Sequence, residues 1–193
     1  MALLSEEKRK AYFKKLGLGE YNKANILKLQ KKYMLRKSDW DSIYGPNTDH
    51  LLRHLYNCHK YLNKDNFRPE EFRCECGGRY CCGYPSWMKA NQLRNLQAIR
   101  DHWGKPMIVT SGMRCRGWNS AIGGSIVNSK HLCGSATDFY MQGVTDTLAH
   151  RKNAINWIKR LPNHTYTYGN GINSLGNWVT APYMGNALHT DTK

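Results

Sequence analysis

Ser129-Lys130-His131-Leu132-Cys133-Gly134-Ser135-Ala136-Thr137-Asp138 places an imidazole seven residues before a carboxylate. Gly134 lets the chain turn between them, and the small residues around it let a strand pass close by. Ala136 to Met141 alternates, which predicts a strand with Ala136, Asp138 and Tyr140 on one face and Thr137, Phe139 and Met141 on the other. A neutral imidazole and a carboxylate brought to one point bind Zn²⁺, but two ligands do not make a site. The late His189 is the obvious third. Three protein ligands and an open position compose a catalytic zinc, because the open position lets the metal acidify water and polarise a carbonyl. Taken alone, the pair also fits a buried His-Asp hydrogen bond.

On either side of this stretch the chain reads as α plus β. Pro85-Ser86 predicts the start of a helix carrying Leu93, Leu96, Ile99, Arg100 and Trp103, stopped by Gly104-Lys105-Pro106. Met107-Ile108-Val109-Thr110 predicts a short strand, expected to be the first central one. Thr145 is expected to cap a helix bearing Leu148, Ile155 and Ile158. From about Pro162 the chain is rich in Gly, Asn and Thr, with a last extended piece at Ala187 to Thr192. The N-terminal part reads differently. Ser5 predicts a helix cap before Tyr12, Phe13 and Leu16, and Asn22 another before Ile26, Leu27, Leu29, Gln30 and Tyr33. A third helix follows Gly45-Pro46-Asn47-Thr48, with Leu51, Leu52, Leu55, Tyr56 and Leu62 on one broad face. The expected division is a small all-α unit over 1–66 and an α+β unit over 67–193.

The chain has 193 residues and 40% hydrophobic content, enough for one core or a core with a small accessory unit. No apolar run approaches the roughly 18 residues needed to cross a bilayer, and Ala2-Leu3-Leu4 is too short for a signal-peptide core. The expectation is a soluble protein made in the cytosol. Lys and Arg number 29 against 14 Asp and Glu, a net charge of +15 divided as +7 over 1–66 and +8 over 67–193. Such charge attracts polyanions of any chemistry, but its even spread gives no nucleic-acid-binding arm. Seven cysteines, an odd count, argue against a disulfide framework. Cys74, Cys76, Cys81 and Cys82 form the one cluster; its C-x-C opening departs from the paired C-x2-C of closed zinc sites, so a second metal and a set of reduced thiols both stay open. His50, His54 and His59 have near-helical spacing but lie on a face otherwise made of core and surface, a poor prospect for metal.

The Ser129–Asp138 stretch meets S-x-H-x-x-G-x-A-x-D at every fixed position and resembles the signature of the zinc D-alanyl-D-alanine carboxypeptidase and L-alanyl-D-glutamate endopeptidase family, whose fold is shared with hedgehog-like domains. Phe72-x-Cys74-x-Cys76-Gly77, Gly104-Lys105-Pro106-Met107-Ile108-Val109-Thr110-Ser111-Gly112-Met113-Arg114 and Asn119-x-x-x-Gly123-Gly124 are similar to its cell-wall branch, and His189-Thr190-Asp191-Thr192 to its closing H-x-D. The resemblance implies a small antiparallel sheet with flanking helices. It puts His131, Asp138 and His189 on the zinc ligands and Arg114 on a basic residue that meets a substrate carboxylate or carbonyl. Met113 replaces the usual aromatic, and 170–185 is looser than the family's glycine-rich strand. Within 1–66, Ile26-Leu27-Lys28-Leu29-Gln30 followed by Asp41-Ser42-Ile43-Tyr44-Gly45-Pro46-Asn47-Thr48 and Leu51-Leu52 resembles the peptidoglycan-binding three-helix module, with Ser42 where its D-G-x-Y-G-P-x-T turn has Gly.

Together these resemblances imply an endolysin-like zinc peptidase of bacteriophage type. It would be a monomer whose partner is peptidoglycan rather than nucleic acid or membrane, made in the host cytoplasm and acting once the membrane is opened. A D-Ala-D-Ala carboxypeptidase and a non-catalytic wall-binding protein on the same fold are the alternatives. Peptidase chemistry also needs a proton acceptor. Many relatives place a Glu shortly before the last His, where this chain has Asn186-Ala187-Leu188, and no Glu follows Glu75. By elimination among Asp101, Asp138, Asp146 and Asp191, the candidate is Asp191, which on a strand shares a face with His189. Orientation of a ligand by Asp191 is the competing role, and Glu70, Glu71, Glu75 or a His brought in by the fold stay in reserve.

Overall fold

Helix formation near the N-terminus follows local capping chemistry. The computed structural model describes residues 2–122 and 126–193. Helix α1 (Glu6–Lys15) starts on Ser5, whose hydroxyl accepts the Lys8 N–H, and α2 (Lys23–Tyr33) on Asn22, whose side chain accepts the Asn25 N–H at 2.9 Å. Helix α3 (Pro46–Tyr61) opens with Pro at its first turn, where no N–H is required. Between α2 and α3 the turn is shaped by the buried Gln30. Its Oε1 accepts the Ser42 N–H at 2.9 Å, and its Nε2 lies 2.8 Å from Asp41 Oδ1 and 3.1 Å from both Ile43 O and Thr48 Oγ1. Ser42 adopts φ +60°, the left-handed region that favours glycine, which is the physical reason for a Gly at that place in the resembling turn.

Helix α4 (Ala90–Trp103) begins later than Pro85-Ser86 suggested and ends at Gly104. The reason is tertiary. Residues 87–89 run against the Gly134 turn, where the Lys89 N–H donates to Gly134 O at 2.9 Å. Gly134 has φ +72°, and a Cβ there would collide with the Trp87 carbonyl oxygen. That corner therefore admits no side chain, and the price of building it is that α4 starts after Lys89.

Five strands follow: β1 (Ile108–Ser111), β2 (Ala136–Tyr140), β3 (His164–Gly169), β4 (Ile172–Asn173) and β5 (Leu188–Thr192). They form one sheet in the order β1-β2-β5-β3-β4 with every pairing antiparallel, so the α+β expectation holds. The expectation for β1 is corrected, because it lies at the sheet edge while β2 and β5 hold interior places. Strand β3 was not anticipated. A short helix α5 (Arg116–Ala121) follows β1, and α6 (Leu148–Ile158) follows β2. Thr147, not Thr145, caps α6. Thr145 Oγ1 is engaged instead with the Met141 backbone at 3.2 Å, closing the turn after β2. The Gly123-Gly124 end of the Asn119 motif lies outside the described residues.

Apolar burial is continuous across residue 66. One buried cluster contains Phe13, Leu29, Leu51, Leu52 and Leu55 together with Phe72, Leu93, Leu96, Ile99, Phe139 and Leu188. Among the described residues no helix is long and apolar enough to cross a membrane. His54 joins the two parts through polar contacts: Nε2 donates to Pro69 O at 2.8 Å, and Nδ1 accepts the Met88 N–H at 3.5 Å. His50 and His59 do not join it in any metal-binding group among the described residues.

Burial pushes the His54 pKa down to about 4. The unfolded chain therefore takes up a proton near pH 6.5 that the folded chain refuses until about pH 4, so stability from neutral His54 is complete above that window and lost as pH falls through it. Urea melts between pH 7 and 4 should show wild type losing stability more steeply than His54→Gln, with a slope difference of up to about 1.4 kcal/mol per pH unit. Parallel curves would contradict a neutral, buried His54.

Candidate active site

The β2–β5 register sets Asp138 directly opposite His189. His131 comes from the short 3₁₀ turn Lys130–Cys133 just before β2, where the Ser129 hydroxyl accepts the His131 N–H. Three donor atoms converge: His189 Nδ1 lies 2.7 Å from Asp138 Oδ1, His131 Nε2 lies 3.2 Å from His189 Nδ1, and His131 Nε2 lies 3.3 Å from Asp138 Oδ1. A tetrahedral zinc with bonds near 2.0–2.1 Å spaces its N and O ligands about 3.3 Å apart. Two edges of the triangle match that spacing, and the third, His189 to Asp138 at 2.7 Å, is shorter and would open as an ion enters. All three residues are buried.

The outer ring nitrogens fix which lone pairs point inward. His131 Nδ1 donates to Gly112 O at 2.6 Å, leaving Nε2 as the acceptor on the triangle side. His189 Nε2 faces Asp191 Oδ2 at 3.3 Å, leaving Nδ1 inward. The His131 ring is thus held in the tautomer that a metal requires. Burial of His189 is outweighed by a carboxylate at each nitrogen, Asp138 and Asp191, which together raise its pKa, so a metal would displace the Nδ1 proton and leave Nε2–H on Asp191. Burial lowers the His131 pKa and keeps that ring neutral. Burial opposes charge on Asp138 too, but His131 and His189 outweigh it and hold the carboxyl well below the usual range. Arg114 adds an ion pair, Nη2 to Asp138 Oδ2 at 2.7 Å, and its Nε donates to Ser111 Oγ at 2.9 Å.

The triangle opens onto a cleft of about 740 Å³. Arg114 and Asp191 both line it, so the structure brings together all five of the residues that sequence put forward. Asp191 stands at the remote nitrogen of His189, however, in the geometry of an orienting carboxylate. Glu75, one of the reserve carboxylates, lies on the same cleft wall, next to Ser111 and Arg114. Glu75 is solvent-exposed on its outer side, and partial desolvation against the cleft wall nudges its carboxyl up despite the opposing Arg114 charge and Ser111 hydrogen bond. Tyr166, Tyr168 and Tyr183 complete the wall, with the Tyr168 ring centroid 4.9 Å from that of His189. The Thr165-Tyr166-Thr167-Tyr168 alternation was the available signal for two of them.

The cysteine cluster is rearranged relative to expectation. Cys74, Cys76 and Cys81 converge with Cys115, while Cys82 turns into the main apolar core. Cys81 and Cys82, though adjacent in the chain, thus enter different surroundings.

A buried histidine–carboxylate–histidine triangle at the floor of an open cleft is the donor set of a metallopeptidase. The family described as Peptidase M15 matches residues 65–171, more than half of the chain, and the chain belongs to that family. The match includes His131 and Asp138 and ends before His189, which the fold supplies from β5. No curated protein and no solved structure matches this chain.

Proposed function

We propose that the protein is a zinc-dependent, endolysin-like peptidase that hydrolyses an amide bond in the stem or cross-bridge peptides of bacterial peptidoglycan. The observation that carries this reading is the metal-sized triangle of His131, Asp138 and His189 opening on a cleft with Arg114 in its wall. Zn²⁺ bound there supplies Lewis acidity toward an amide carbonyl and lowers the pKa of water. Asp138 and the two imidazoles hold the ion. Arg114 meets a carbonyl or carboxylate of the substrate through Nη1, the guanidinium nitrogen with no protein partner among the described residues. Stem peptides carry carboxylates, and the +15 net charge favours their approach.

Within this reading Glu75 takes the proton and passes it to the leaving amine, because a carboxyl with a raised pKa is suited to exchange near neutral pH. Asp191 holds the His189 ring. Residues 1–66 act as a peptidoglycan-binding unit, supported by the Gln30–Asp41–Thr48 network that builds the turn of the resembling module. A bound wall raises the local substrate concentration at the cleft. The enzyme then works as a monomer, made in the cytoplasm of a phage host and reaching the wall after the membrane is opened.

Mass analysis of muropeptides digested with zinc present should show new amino termini, and chelation should abolish them. Loss of a terminal alanine alone would reassign the enzyme as a carboxypeptidase. Wall binding with no cleavage would sink the catalytic reading. For the proton acceptor, Glu75→Gln should keep its metal and lose about 100-fold or more in turnover. Asp191→Asn should weaken zinc binding by about 10–100-fold yet turn over within about tenfold of wild type at saturating zinc. The reverse pattern would return the base role to Asp191.

A further inference from the structure

Away from the histidine triangle, Cys74, Cys76, Cys81 and Cys115 bring four Sγ atoms within 4.8 Å of one another, and none is in a disulfide. Cys74, Cys76 and Cys115 are buried in a small cluster separate from the main core, and the partly buried Cys81 and Trp118 pack against them. Four thiolates on a tetrahedral zinc at about 2.3 Å have sulfurs about 3.8 Å apart. Cys76 Sγ and Cys81 Sγ are already 3.5 Å apart.

The main chain around the cluster is arranged for anionic sulfur. The Cys115 N–H points at Cys74 Sγ at 3.3 Å, the Trp118 N–H at Cys115 Sγ at 3.3 Å, and the Gly83 N–H at Cys81 Sγ at 3.4 Å. Such bonds strengthen when the acceptor is ionised. Gly77 and Gly78, at φ +61° and +86°, fold the chain back between Cys76 and Cys81. No helix or strand lies between Arg73 and Lys89, and the segment is held by a few backbone bonds, Cys74 N–H to Gly83 O at 2.8 Å and Leu35 N–H to Cys82 O at 2.9 Å among them. Yet it carries Glu75 into the cleft wall.

We propose that Cys74, Cys76, Cys81 and Cys115 bind one structural Zn²⁺ in a closed four-thiolate site that fastens the Glu75 and Arg114 wall of the cleft. Soft thiolates select zinc over hard cations, and a full set of four protein ligands leaves no open position for chemistry. Binding displaces the four thiol protons and leaves a dianionic unit. Arg73, Arg79 and Arg116 flank the ligands along the chain. Glu75 lies between two ligands, and Arg114 immediately precedes the fourth. The fastening rests on the function proposed above, whereas the metal content does not.

The full-length protein, purified under reducing conditions with zinc, should hold about two equivalents of the metal, since each site takes one. A His131→Ala, His189→Ala double variant should keep about one equivalent. Its cobalt form should show the intense near-ultraviolet sulfur-to-metal charge-transfer band of thiolate coordination. A double variant with no zinc and no such band overturns the proposal, as does a thiol count of five rather than seven in denatured, chelated protein, which would mean a disulfide. For the fastening, Cys81→Ser should lose about one equivalent of zinc and most turnover, while Cys81→His, which keeps a ligand, should retain both. Full turnover in a Cys81→Ser protein that has lost this zinc would leave the site without a positioning role.

Discussion

The antiparallel pairing of β2 with β5 is the constraint on which the site depends. Because side chains alternate along a strand, a slip of one residue would turn His189 or Asp138 to the opposite face and dissolve the triangle. The register is held from several directions. On the far face Thr190 Oγ1 accepts from Thr167 Oγ1 at 3.0 Å, and Gln92 of α4 donates to the Thr190 carbonyl at 3.1 Å. Strand β3 lies along the other edge of β5 with Tyr168 opposite His189. His131 then needs only the corner at Gly134 to bring its ring beneath the pair. The site is thus a consequence of sheet register and of one position that excludes a side chain.

What could be read from the sequence was what depends on neighbours. Ser5 and Asn22 were legible as caps because a cap acts within one turn. The alternation around Asp138 gave β2, and His189 with Asp191 fell on one strand as expected. Features decided by distant contacts were not legible. The start of α4 was misjudged because residues 87–89 answer to the turn at Gly134 rather than to Pro85-Ser86. Thr145 looked like a cap two residues early, since its hydroxyl closes a turn that sequence does not display. Strand order is likewise invisible locally, which is why β1 was expected at the centre of the sheet.

The site shows the same division. His131, Asp138, His189, Arg114 and Asp191 were named from residue type and motif. Elimination put Asp191 forward as the base, and spacing gave no reason to bring residue 75 near residue 138. The bond from the Met113 N–H to the Phe72 carbonyl at 2.9 Å and the convergence of Cys74 and Cys76 with Cys115 do so, and neither is legible in spacing. The helical N-terminal part shares one apolar core with the rest, and His54 bridges the two with its Pro69 and Met88 contacts. Any wall-binding surface on it is therefore held in a fixed relation to the cleft.

In the site proposed above, one metal ion joins the 3₁₀ turn before β2 to the β2–β5 pair. Anomalous diffraction at the zinc edge from crystals of the zinc-loaded protein tests it most directly. The account predicts a peak about 2.0–2.2 Å from His131 Nε2, Asp138 Oδ1 and His189 Nδ1 together. A fully loaded crystal with no peak between those three atoms, or with the ion held by other ligands, would contradict it.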